Sequence, residues 1–128
     1  MKFISGIAIA IFALPIFSME HPVTIALNKK GNGKYVIQVS AEKGYAIQKT
    51  APNKIKLTGE DKLKAEPSEL KFNGAAKLDK PDYYEKVDDM DVTLTGKGSV
   101  EIDARIFYCD LNKGMCYPAK IKRKETIN

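Results

Sequence analysis

The sequence predicts an all-β domain built as an antiparallel two-sheet sandwich, and three observations lead there. Apolar residues recur with a period of two rather than about 3.6 along most of the chain. Glycine- and asparagine-containing turn signals interrupt these runs at short intervals, and no segment carries the apolar stripe of an amphipathic helix. Polar residues at the alternate positions imply sheets with one face in water and one on a core, which is the antiparallel habit. Short strands of this kind over roughly 100 residues point to a sandwich of immunoglobulin-like type, with a barrel as the competing closure.

The elements follow in order. Val23, Ile25 and Leu27 alternate with Thr24 and Ala26 and run into the turn Lys29-Lys30-Gly31-Asn32-Gly33, a strand and a hairpin turn. Tyr35, Ile37 and Val39 alternate with Val36, Gln38 and Ser40. Gly44-Tyr45-Ala46-Ile47 and Ile55-Lys56-Leu57 supply two further short strands, after which Gly59-Glu60-Asp61 is expected to break the chain. Glu66 to Asp91, with Pro67, Gly74, Pro81 and many charges around Tyr83-Tyr84, reads as one long connection, a kind of segment that tends to be functional or disordered. The cleanest alternation comes late: Val100, Ile102, Ala104 and Ile106 on one face, Glu101, Asp103 and Arg105 on the other.

The amino terminus sets the compartment. Lys2 precedes an uncharged apolar run from Phe3 to Phe17 that ends near the small residue Ser18, the pattern of a secretory signal peptide. A membrane span needs about 20 residues, so removal of residues 1–18 is expected, although Ile16 and Ser18 make a poor cleavage site and an uncleaved anchor is the competing reading. Residues 19–128 then form one domain, periplasmic or secreted, with no stable membrane span. In such an oxidising space a disulfide between two nearby cysteines is the default state.

Charge narrows the function. Lys and Arg number 21 against 16 Asp and Glu, a formal net charge of +5, but the signs are interleaved along the chain, as in Glu60, Asp61, Lys62, Lys64 and Glu66. Nucleic-acid binding is therefore not expected, since a reader of that kind usually carries a basic stripe with aromatics. With a single histidine, His21, no Ser-His-Asp set can be assembled, and no glycine loop joins a strand to a helix as a phosphate cradle would. Met19-Glu20-His21 at a mature terminus could wrap Cu(II), and reduced Cys109 and Cys116 with Met115 could hold Cu(I). Both patterns arise cheaply by chance, and a solvated histidine at a frayed terminus is the favoured reading of the first. No metal or other cofactor is expected.

Chemistry concentrates in the only two cysteines. Ile106-Phe107-Tyr108-Cys109-Asp110-Leu111-Asn112-Lys113-Gly114-Met115-Cys116-Tyr117-Pro118 reads as two strands around a turn from Asp110 to Gly114, with one thiol on each arm and the sulfurs close enough to bond. A structural staple is the bland reading. Closing so short a loop removes only about 2.5 kcal/mol of unfolded-state entropy, against about 4.7 kcal/mol for a loop of 100 residues, and hairpin arms are already tied by ladder hydrogen bonds. A short bridge across a turn is also where exposed, reducible disulfides occur. Asp110 beside Cys109, and Met115 and Tyr117 around Cys116, predict weakly activated thiols that respond to a docked partner.

Phe107-Tyr108-Cys109-Asp110 with Gly114-Met115-Cys116-Tyr117-Pro118 resembles the redox hairpin of the periplasmic amino-terminal domain of DsbD, the thiol:disulfide interchange protein. Gly44-Tyr45-Ala46-Ile47 is similar to that family's Gly-Tyr strand, and Asp82-Tyr83-Tyr84-Glu85-Lys86 falls where the family carries an acidic-aromatic cap loop. The resemblance implies an exported thiol–disulfide exchange domain in which Cys116 forms the mixed disulfide and Cys109 resolves it. It implies that Tyr83 plugs the site, Asp82 supplies a carboxylate, Tyr45 lines it, and Tyr84 and Tyr117 complete the cap and docking set. This chain departs from the pattern at Ala119, where the family has a second proline, at the cap tyrosine in place of phenylalanine, and at Gln48 in place of an aromatic. The implied partners are thioredoxin-fold periplasmic proteins or a separate DsbD-type membrane electron donor, because neither an electron channel nor a thioredoxin-like pattern accompanies the domain. The alternative function is an Ig-like secreted binding module in which the bridge pins a loop.

Overall fold

The computed structural model describes residues 21–128, so the signal-like segment and its cleavage site lie outside the described residues. Nine strands follow in order: β1 (Val23–Gly31), β2 (Lys34–Ala41), β3 (Tyr45–Ile47), β4 (Lys54–Asp61), β5 (Lys64–Glu66), β6 (Glu69–Lys71), β7 (Met90–Thr95), β8 (Gly98–Asp110) and β9 (Met115–Ile127). No helix occurs among the described residues, and none is therefore long and apolar enough to cross a membrane. One sheet has the order β1-β2-β7-β5; in the other, β3-β8-β4-β6, strand β9 is added against β8. Every pairing is antiparallel. The architecture is an all-β, immunoglobulin-like sandwich.

Alternation explains the core. Val23 and Ile25 of β1, Ile37 and Val39 of β2, Ile55 and Leu57 of β4, Met90, Val92 and Leu94 of β7, and Val100, Ile102, Ala104 and Ile106 of β8 are buried in one cluster between the sheets. Their odd neighbours on β8, Asp103 and Arg105, lie in solvent on the outer face. Burying side chains of this size contributes about 1.5–3 kcal/mol each relative to exposure. The sandwich therefore rests on period-two patterning.

Three expectations change. The turn after β1 is shorter than Lys29–Gly33: β1 continues to Gly31, which pairs with Lys34, leaving Asn32-Gly33 as a two-residue loop with Gly33 at φ 69°. Glycine suits the second loop position, which takes the positive φ. Gly59-Glu60-Asp61 does not break the chain but extends β4, paired with Gly98 to Val100, and the reversal comes at Lys62-Leu63. Gly59 is there for a close backbone approach: a Cβ at this position would sit 2.1 Å from the Leu63 carbonyl oxygen. The segment 66–91 is likewise not one open connection. It contains β6 and the start of β7, and it sends Leu70, Phe72, Tyr84, Val87 and Met90 into the core.

Gly59→Ala should lose about 1–3 kcal/mol of stability or more, because the new methyl meets backbone rather than a movable side chain. Gly31→Ala, where nothing lies within 4 Å of the added carbon, should shift stability by less than about 1 kcal/mol. Urea denaturation midpoints of the two variants check the contrast.

Candidate functional site

The two cysteines meet at the end of the longest ladder. Strands β8 and β9, each 13 residues, pair continuously from Gly98↔Ile127 to Asp110↔Met115, with Cys109 directly opposite Cys116. Their sulfurs are bonded, and the Cα atoms are 3.9 Å apart. The loop between the arms is closed by the Gly114 N–H donating to the Asp110 carbonyl at 2.8 Å. Gly114, at φ 70°, supplies the left-handed residue this turn requires. The Asp110 carboxylate accepts the N–H groups of Asn112 and Lys113 at 2.9 and 3.1 Å, so it organises the turn.

The two halves of the bridge differ in environment. Cys109 is 0 % exposed, whereas Cys116 is exposed. Topology supplies the reason. Cys109 lies on β8 inside the sheet, with Ala46 of β3 on one side and Cys116 on the other. Strand β9 pairs only with β8, so Cys116 has no strand beyond it.

Alternation assigns the faces. Tyr108 belongs to the core cluster, and the neighbouring Cys109 therefore points to the outer face together with its register partners Ala46 and Cys116. Tyr45 and Tyr117 keep company with Tyr108, at ring-centroid distances of 6.0 and 5.6 Å, and so brace the hairpin from the core side, behind the sulfurs. Met115 joins them: its sulfur accepts a 3.7 Å hydrogen bond from the Tyr117 hydroxyl. Met115 and Cys116 thus project to opposite faces. His21 is anchored rather than frayed, its ring edge-on to Tyr108 at 6.2 Å. Burial first, then the nearby Tyr45 and Tyr117, hold the Tyr108 hydroxyl above the usual tyrosine range. Among the described residues no group of three or more His, Cys, Asp or Glu side chains is placed to hold a metal ion.

The segment containing the expected cap lines the far edge of β3. The Tyr84 N–H donates to the Ile47 carbonyl at 2.9 Å and the Lys49 N–H to the Asp82 carbonyl at 2.7 Å, with an isolated bridge between Gln48 and Tyr83. That bridge puts Tyr83, half-buried, on the same outer face as Gln48, Ala46 and the cysteines. Tyr84 turns the other way into the core, beneath the Lys49 ammonium at 5.0 Å from its ring. Asp82 is held through its backbone, and its side chain is exposed. Of the expected cap and docking set, Tyr83 shares the sulfur-bearing face, while Tyr45, Tyr84 and Tyr117 sit on the core side.

Asn53 is a positioning residue that the sequence reading misses. On β8, Arg105 pairs with β4 and Tyr108 with β3, and the gap between those strands falls at Phe107. Asn53, buried, closes it: the Phe107 N–H donates to Asn53 Oδ1 at 2.7 Å, and Asn53 Nδ2 donates to the Gln48 carbonyl at 2.6 Å. Pro52 before it and the strand after it gave no sign in the sequence that an amide was needed there.

No protein-family model, curated protein or solved structure matches this chain. The functional reading therefore rests on the hairpin geometry together with the resemblance read from the sequence.

Asn53→Ala should cost about 1–3 kcal/mol, because it strands the Phe107 N–H and the Gln48 carbonyl, and should loosen β3 from β8 beside Cys109. Amide hydrogen exchange reads this directly: the Phe107 N–H should lose protection while those of Ile102 and Ala104 keep theirs.

Proposed function

We propose that this domain exchanges its Cys109–Cys116 disulfide with dithiol proteins of thioredoxin fold in an exported compartment. The observation that carries the reading is the asymmetry of the bridge, one half on an open edge strand and the other fully enclosed. A staple gains nothing from presenting one of its sulfur-bearing residues to solvent, whereas an exchange centre needs one accessible sulfur and one protected leaving group. The register adds support. Cys109 and Cys116 lie directly opposite in the ladder and only seven positions apart in sequence, so the bridge closes a short loop of the unfolded chain.

The step balances without a cofactor. A partner thiolate attacks Cys116 Sγ in line with the S–S bond; that bond breaks, a mixed disulfide forms, and Cys109 departs as a thiolate that takes a proton. The partner's second thiolate then attacks its own mixed-disulfide sulfur, releasing Cys116 as a thiolate. The partner is oxidised by two electrons and this domain is reduced by two; run backwards, the same steps oxidise the domain. Tyr83 shares the face of the sulfurs on the far side of β3 and, in this reading, would shield them between encounters.

Cys109→Ser leaves the exposed cysteine and should collect reductant-sensitive covalent adducts with thioredoxin-fold proteins, whereas Cys116→Ser, leaving the enclosed one, should collect few. Non-reducing electrophoresis with mass spectrometry reads the outcome. Equal trapping by both variants, or a bridge in the folded protein that dithiothreitol cannot open, would return the domain to the binding-module reading.

A further inference from the structure

The strand register assembles a basic row that the linear sequence does not display. Lys71 of β6 is paired with Lys54 of β4, Lys54 with Arg105 of β8, and Arg105 with Lys120 of β9. Residues opposite one another in an antiparallel sheet project to the same side, and all four are exposed on the outer face. Like charges placed directly opposite are destabilising. The neighbouring row shows the ordinary solution, with Glu69, Lys56, Asp103 and Lys122 alternating in sign across the same four strands. Within the basic row only Lys54 has an acidic partner among the described residues, Glu69 at 3.1 Å, and Lys71, Arg105 and Lys120 have none.

The row lies on the same face as the sulfurs. On β9, Cys116 and Lys120 are four residues apart, about 13 Å at the usual strand rise, and the row spans about 14 Å across the sheet. A redox encounter burying about 1,200 Å² in total covers about 600 Å² on each partner, a patch about 14 Å in radius. A partner centred on Cys116 therefore reaches Lys120 and Arg105, and their long side chains extend that reach. The shortness of the row and its place beside the bridge favour a protein over a nucleic acid or a membrane.

We infer that the Lys120–Arg105 end of this basic row, nearest the bridge, is the docking surface for an acidic patch next to the reactive dithiol of the partner protein. The inference rests on the exchange reading and names which dithiols the site would select. Positive charge on this face would orient the partner and raise its encounter rate, an effect that fades as salt screens it.

Two synthetic dithiol peptides test this, one with glutamates flanking its Cys-x-x-Cys and one with glutamines in their place. At low salt the acidic peptide should reduce the Cys109–Cys116 bridge about tenfold faster than the neutral one. The double variant Arg105→Gln/Lys120→Gln should remove that advantage and leave the neutral peptide's rate unchanged, while Lys34→Gln/Lys64→Gln on the opposite sheet should keep it. Equal rates for the two peptides, or an advantage that survives the first double variant, overturn the inference. If neither peptide opens the bridge, the exchange reading fails separately, and the row is judged by a cysteine-free glutamate peptide. Backbone amide shifts at Arg105 and Lys120 on adding that peptide support an acidic-protein dock; their absence overturns it. Stronger binding at the same ionic strength by duplex DNA or anionic phospholipid vesicles, with the same residues perturbed, overturns it in favour of those partners.

Discussion

The β8–β9 ladder is the constraint on which the rest of this structure depends. Strand β8 carries the central core residues on one face and one half of the disulfide on the other, and it takes hydrogen bonds from β3, β4 and β9. Its unbroken register fixes three things together: the enclosure of Cys109, the openness of Cys116 on the edge strand, and the alignment of the charged rows further along. A slip of β8 by one residue would send Val100, Ile102, Ala104 and Ile106 to the solvent face and turn Cys109 toward the core, away from Cys116. Hydrophobic patterning thus sets the geometry of the chemistry.

A 13-residue edge strand such as β9 is also a hazard, since it offers unpaired backbone groups to other chains. Pro118 and the alternating cations Lys120, Lys122 and Lys124 answer it, because charge and a missing N–H both discourage strand addition. The same cations complete rows begun on β4 and β8. Protection of the edge and attraction of an acidic partner are compatible uses of one set of side chains. Next to the bridge, Met115 at 53 % and Tyr117 at 38 % exposure add apolar surface at the hairpin tip.

Much of this was legible in the sequence, for identifiable reasons. The alternation from Val100 to Ile106 and the Cys-turn-Cys run specify local geometry, and local geometry survives folding unchanged. Strand β7 carries an equally clean alternation of Met90, Val92 and Leu94 with Asp91, Thr93 and Thr95, but it was concealed by the proline- and charge-rich stretch before it. Gly59 looked like a turn residue because glycine serves both turns and close backbone approaches, and only the position of Leu63 distinguishes them. Tyr45 and Tyr117 looked like neighbours of the sulfurs because they are close in sequence or register, yet alternation places them behind the sheet. Asn53 and the basic row were beyond reach, since each depends on which strands lie side by side.

The central claim is that the Cys109–Cys116 bridge serves exchange and not the holding of the fold. Denaturant unfolding of the same chain with the bridge closed, and with it opened by dithiothreitol, tests this most directly. The account predicts two cooperative transitions differing by no more than about 2.5 kcal/mol, the unfolded-state entropy that so short a loop removes. A loss of about 4 kcal/mol or more on opening, or failure of the reduced chain to fold, is what a structural staple gives and would contradict it.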